Sequence, residues 1–216
     1  MNSRLENENA LIFSYLELRK TIGFLGIALP IVLSLGAFLL FQTGIQRSIS
    51  SYYHTDMRNV FVGTLCVIGF FLLSYKGYER SDDIAGDLGC LFAVGVALFP
   101  TTPDSASTTQ TLWIGYAHNT FATLFFGTLI YFSLFLFTKT DPNKSPSRKK
   151  RQRNAVYRVC GYTMVICILL IAIFSFLPDT LKVYKPVYWL ESIAILAFGF
   201  SWLIKGEAIL KDEVVC

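Results

Sequence analysis

Six apolar stretches decide what this chain can fold into, at roughly Thr21–Phe41, Asn59–Tyr75, Ile84–Phe99, Leu112–Phe137, Val156–Leu177 and Pro186–Ile204. A helix needs about 20 mostly apolar residues to cross the hydrocarbon core of a bilayer. The remainder is loops and a short leader, too little for a separate soluble domain. Charge content agrees: 16% of residues are charged, where a soluble domain is near one-quarter charged. The expected fold class is all-α, a polytopic membrane protein whose six transmembrane helices form a single domain over residues 1–216. Ile84–Phe99 is the least typical span, being short and carrying Asp87 near one end. It suits a thin or deformed bilayer, or a position shielded by neighbours.

Charge sets the expected topology. The run Arg148-Lys149-Lys150-Arg151-Gln152-Arg153 falls between two apolar stretches. Lys and Arg collect in loops that stay in the cytoplasm. The leader, the second and fourth connections and the C-terminal tail hold every basic residue except Arg47, Arg58, Lys182 and Lys185. Both termini are therefore expected in the cytoplasm, which requires an even number of spans. Residues 138–155 form the basic cytoplasmic loop. Pro142 and Pro146, with Asp141, Asn143, Ser145 and Ser147, mark it as a flexible connection between two three-helix halves. Because both of its ends run into spans, it reads as a topogenic signal that also attracts anionic headgroups, not as a nucleic-acid patch.

The leader, residues 1–20, contains Glu6, Glu8 and Glu17 and no compact apolar core, so no cleavable signal peptide is expected. Leu11, Ile12, Tyr15, Leu16 and Leu18 recur at helical spacing with Glu17 opposite, as in a short interfacial helix. An extension of the first span into the cytoplasm fits equally well. Of the five cysteines, Cys66, Cys90, Cys160 and Cys167 fall inside expected spans as small apolar residues. No Cys-x-x-Cys pair exists, and Cys216 is too close to the end for a prenylation box.

The expected topology gathers the reactive side chains on the non-cytoplasmic face. The first connection carries Ser50, His54 and Asp56, and the third carries Asp104. His118 and Asn119 come about two turns into the fourth span, and Glu191 comes near the start of the sixth. An ionisable residue within a span usually faces the bundle interior and finds a partner there. His54, Asp56, Asp104, His118, Asn119 and Glu191 are thus candidate ligand-binding residues. His54 and His118 with a carboxylate from Asp56, Asp104 or Glu191 would make a catalytic-type zinc set with one open position. Ser50, four residues before His54, would share its face if that stretch were α-helical. Such a site could activate water against a lipid ester or amide, with Ser50, His54, Asp56, His118 and Glu191 as candidate catalytic groups. The bland alternative is interhelical hydrogen bonding by His118 and Asn119, with Asp56 paired to Arg58 or capping the second span.

Ser48–Asn59, followed by Phe61-Val62-Gly63 and Tyr75-Lys76-Gly77, resembles a group of uncharacterised bacterial six-span membrane proteins. Leu25-Gly26-Ile27-Ala28-Leu29-Pro30 and Ala97-Leu98-Phe99-Pro100-Thr101 fit the same group, which is similar in layout to domain-of-unknown-function families of DRAM/Sfk type. The resemblance covers roughly residues 18–137 and implies a bacterial inner-membrane location without an activity. Ser50 and His54 also match in spacing the first element of the membrane hydrolases that include alkaline ceramidases and adiponectin receptors. The late His-x-x-x-His pair of those enzymes is missing here, and the chain is one span short.

The leading expectation is a sensory or accessory membrane protein that binds a lipid or small ligand at its outer face. A metal-dependent lipid hydrolase comes second. A small-molecule or proton-coupled transporter comes third, because the middles of the spans are nearly all apolar. The bilayer is the expected surrounding, with room for self-association or a membrane partner and none for nucleic acid.

Overall fold

The computed structural model describes residues 2–77, 79–103, 108–140, 145–174, 176, 181 and 183–210, with side chains from residue 15 onward. Among these the chain is all-α, without strands. Six helices follow one another: α1 (Asn2–Phe41), α2 (Arg58–Leu73), α3 (Arg80–Leu98), α4 (Thr109–Tyr131), α5 (Arg148–Phe174) and α6 (Pro186–Lys205). A 3-10 segment, Ser50–His54, precedes α2, and a π-helical turn, Phe132–Leu136, ends α4. Each helix packs on the next, and α1 packs on α6, so the six close into a ring.

Four helices are long and apolar enough to cross a membrane: α1 from Tyr15, α4 with its π turn, α5 and α6. Only 28% of the most apolar window of α1 and of α5 is buried, against 56% for α6. Phe24, Phe38, Leu39 and Leu40 of α1 and Val159, Ile166 and Leu169 of α5 point outward. Apolar patches of that extent mark a surface that meets something other than water. α2 has 16 residues, roughly 24 Å at 1.5 Å per residue. α3 brings Asp82, Asp83 and Asp87 into its first turns, which lowers its hydropathy.

Two expectations are corrected. There is no separate interfacial helix, because α1 runs unbroken from Asn2 through the leader into the first span. Nothing between Glu17 and Thr21 stops a helix. Lys20 pairs with Glu17 at 2.6 Å, and the Thr21 hydroxyl donates to the Glu17 carbonyl at 2.9 Å. The basic run is also not loop. Ser147 accepts the Lys150 N–H at 3.1 Å, and α5 starts at Arg148. Residues 141–144 and the C-terminal residues from 211 on, Cys216 included, lie outside the described residues.

Closure of the ring depends on bare backbone. A Cβ on Gly23 of α1 would stand 2.8 Å from the Gly199 carbonyl oxygen of α6. One on Gly26 would stand 2.9 Å from the Phe198 ring. Small residues allow this approach in an apolar surrounding, where dispersion and weak polar contacts hold helices together. The two helices run antiparallel, since Gly206 meets Lys20 at one end and Tyr188 bonds Ser34 at the other. Gly86 of α3 packs in the same way against the Leu72 carbonyl of α2. One buried core links all six helices. At its basic end Trp202 lies 5.1 to 5.4 Å from the rings of Tyr75, Phe132 and Phe137. There α3 opens with a capping box, Glu79 and Asp82, and the Lys139 ammonium meets them at 3.1 and 3.4 Å. Desolvation pulls the Lys139 pKa down, but these carboxylates outweigh it and hold the pKa above its usual value.

Replacing Gly199 with Leu forces α1 and α6 apart and is expected to cost about 1 to 3 kcal/mol. Thermal unfolding in detergent reads this as a lower midpoint. Gly63→Ala, with nothing within 4 Å of its new methyl, leaves the midpoint unchanged or higher.

Candidate functional site

The end of the bundle away from the basic run is built by the first connection folding inward. α1 stops at Gln42, whose φ of 52° is left-handed, and the Thr43 N–H returns to the Ala37 carbonyl at 2.9 Å. That stop turns the chain back over the helix ends. Ile49, Tyr52 and Met57 then plug the space between α1, α2 and α6, all buried. The first turn of α6 grips the plug. The Tyr188 N–H donates to the Arg47 carbonyl at 3.0 Å, and the Lys185 ammonium donates to the Ile45 carbonyl. The Tyr188 and Ser34 hydroxyls are bonded to each other.

Glu191 completes the grip. Its Oε2 accepts the Ile49 N–H at 2.6 Å, and the Ser50 N–H acts on the same carboxylate. These are the first donors of the 3-10 segment, which have no partner within that turn. A side chain from a distant helix therefore supplies the N-terminal cap that the local sequence lacks. Ser48 ties the turn from within, its hydroxyl bonding Ser51 Oγ at 2.7 Å and the Ser51 N–H at 2.9 Å. Beside Glu191 lies a cavity of about 40 Å³, walled by Leu29, Phe61, Phe125, Phe126 and Phe198, with Ser50 and Glu191 at its polar side. A water needs about 10 to 15 Å³ measured this way, so the space has room for a small group, and its almost wholly apolar lining suits an apolar one.

Both imidazoles bind one neighbouring connection. His118, buried in α4, donates from Nδ1 to the Phe99 carbonyl at 2.7 Å. His54, exposed at the end of the 3-10 segment, donates from Nε2 to the Thr101 carbonyl at 2.7 Å. Each carbonyl can only accept, which fixes the tautomer of each ring when neutral. The two histidines therefore both hold the chain between α3 and α4.

The other candidates do not join them. In a 3-10 helix, with three residues per turn, positions four apart are rotated by about 120°. Ser50 and His54 thus do not share the face that an α-helix would give them. Asp56 is exposed, and among the described residues it neither pairs with Arg58 nor caps α2. Arg58 stacks on Tyr53 instead, its guanidinium 4.3 Å from the ring centre, and donates to the Tyr53 hydroxyl at 2.6 Å. Asn119 faces outward, not inward with His118. Asp104 lies outside the described residues. Among those residues no group of three His, Cys, Asp or Glu side chains is placed to hold a metal. The four cysteines described are free thiols.

What sequence reading missed is the Tyr52, Ser34 and Tyr188 hydroxyl group. Tyr52 is fully buried beside Ser34 and the Gln46 backbone N–H, and its hydroxyl completes no hydrogen bond of normal geometry. Burial raises the Tyr52 pKa, so the phenol stays protonated. Only the polar position of Ser34 inside an apolar run hinted at it.

Comparison with family models, with curated proteins and with solved structures returns no match for this chain.

His118→Ala removes a buried hydrogen bond and strands the Phe99 carbonyl, a cost of about 1 to 3 kcal/mol. Hydrogen exchange at residues 99–103 is expected to speed up. His54→Ala, at an exposed clasp, should produce a smaller change in the same amides.

Proposed function

We propose that the chain is an integral membrane protein of six spans with both termini in the cytoplasm, which binds a lipid or small ligand at the Glu191 cavity. Its role on this reading is sensory or accessory. The observation that carries it is a carboxylate set one turn into a membrane-crossing helix beside an apolar cavity. Intramembrane ionisable groups are costly and mark sites of function. Glu191 has lone pairs beyond those used by Ile49 and Ser50. The matching ligand is a mostly apolar molecule that offers a hydroxyl or ammonium donor. Because the cavity is small, the inward plug has to shift for a larger ligand to enter.

Support for six spans comes from the ring, in which α2 and α3 lie between α1 and α4. Trp113 and Tyr116 near the start of α4, and Tyr184 and Trp189 at the start of α6, are exposed aromatics. Trp and Tyr side chains gather at headgroup depth. The cationic residues of the opposite end favour the cytoplasm, and the resemblance to bacterial six-span proteins favours an inner membrane. The hydrolase alternative requires both imidazoles and a carboxylate at one zinc, and among the described residues no such group of three is placed to hold a metal.

Mass spectrometry of protein purified in mild detergent tests the ligand. The parent chain is expected to carry a bound amphiphile, and Phe126→Trp, which fills the cavity, should lose it. Glu191→Gln should weaken retention by roughly tenfold, the value of one charge-assisted hydrogen bond. Identical empty spectra for all three proteins would remove the binding reading, and stoichiometric zinc lost in His118→Ala would favour the hydrolase.

A further inference from the structure

The opposite end of the bundle gathers cations from three helices. Arg19 comes from α1, Lys150 and Arg153 from the first turns of α5, and Lys205 from the last turn of α6. Lys205 lies within electrostatic reach of the other three, and Asp82 is the carboxylate that acts on it among the described residues. Asp82 is already held by Lys139 at 3.4 Å, and Glu207 lies 3.9 Å from Arg153.

Arg19 and Lys205 are met by rings. The Arg19 guanidinium sits 5.3 Å from the Tyr75 centroid, and the Lys205 ammonium 5.3 Å from that of Phe137. A ring face stabilises a cation without cancelling its charge. Neither residue has a carboxylate at ion-pair distance among the described residues, and the Arg19 Nε is buried without a hydrogen-bond partner. Arg19, Lys150 and Arg153 each disfavour the charge on Lys205. The basic first turn of α5 adds to that, because it faces the positive end of its own helix dipole. An anion relieves both effects at once.

The local backbone helps to form the receptor. The π turn Phe132–Leu136 ends α4 here, and the Lys150 ammonium donates to the Phe137 carbonyl at 3.0 Å. π turns recur at functional sites. All four cationic residues are half-buried, and the Arg153 side chain keeps 11% exposure.

We propose that Arg19, Lys150, Arg153 and Lys205 bind a phosphate group, carried either by the headgroup of an acidic phospholipid or by a free phosphate anion. Two guanidinium groups supply paired donors that match phosphate oxygens, and two ammonium groups supply point charges. Basic recesses between helices at a membrane surface hold phosphorylated headgroups through this chemistry. The site is separate from the Glu191 cavity and does not depend on it.

The full chain is reconstituted in phosphatidylcholine nanodiscs, and its melting temperature is followed while phosphatidylglycerol is mixed into the discs or inorganic phosphate is added. Either additive is expected to raise the midpoint. A response to phosphatidylglycerol alone assigns the lipid headgroup, and a response to inorganic phosphate as well assigns the free anion. Lys205→Met and Arg19→Gln should each weaken the response by roughly tenfold or more, whereas Arg151→Gln, an exposed cation on the same helix, changes it less than about twofold. Lys205→Met keeps the apolar stem and loses the repelling charge, so without anion it should melt no lower than the parent. No response to either additive overturns the proposal, as does an equal loss in Arg151→Gln. A lower midpoint for Lys205→Met with an unaltered anion response also overturns it, by reducing Lys205 to a packing role.

Discussion

The Glu191 carboxylate has to be satisfied inside a bundle whose outer faces are apolar, and the architecture of one whole end follows from that need. Water cannot serve it cheaply there, so backbone N–H groups must come to it. The first connection provides them by turning inward as a 3-10 helix whose leading donors meet the carboxylate. Once the connection is inside, Ile49 and Tyr52 fill the mouth of the bundle, and His54 is carried to the Thr101 carbonyl. His118 secures the same strip of chain from beneath. Capping, plugging and clasping are thus successive effects of placing one carboxyl group inside the bundle.

Much of the helical layout was legible in the sequence because it rests on long apolar runs, a signal that survives any packing arrangement. Gly23, Gly26, Gly86 and Gly89 could likewise be read as contact points, since small residues at helical intervals have few other uses in an apolar helix. Boundaries were harder. The charged leader and the basic run both looked like breaks, yet charge alone does not end a helix, and neither stretch contains a Pro or Gly. The expectation that both imidazoles and Glu191 share one face followed from counting spans. Their partners did not, because each is a backbone group brought from another helix by the tertiary fold. Side-chain lists suggest metals and dyads, whereas carbonyls and amides leave no mark in a sequence. The Ser50–His54 pairing failed for a related reason, since a repeat of four residues has meaning only once the helix type is known.

The two ends of the bundle treat charge in opposite ways. At the plugged end, a lone carboxylate is matched donor by donor and shut away from the surface. At the basic end, cations rest on Tyr75 and Phe137 and stay partly open, around a Trp202 core that gives them a rigid floor. One arrangement is closed and directional and the other is open and diffuse, which suits a buried acceptor on one side and a surface attractor on the other.

Ring closure through Gly23 and Gly199 also bears on assembly of the molecule during synthesis. α1 leaves the ribosome well before α6, and the face carrying Gly23 and Gly26 finds its mate only once α6 has emerged. Until then that groove must be held by lipid, by an insertion chaperone or by a provisional neighbour. Closure of the ring of helices is therefore a long-range event that waits for α6.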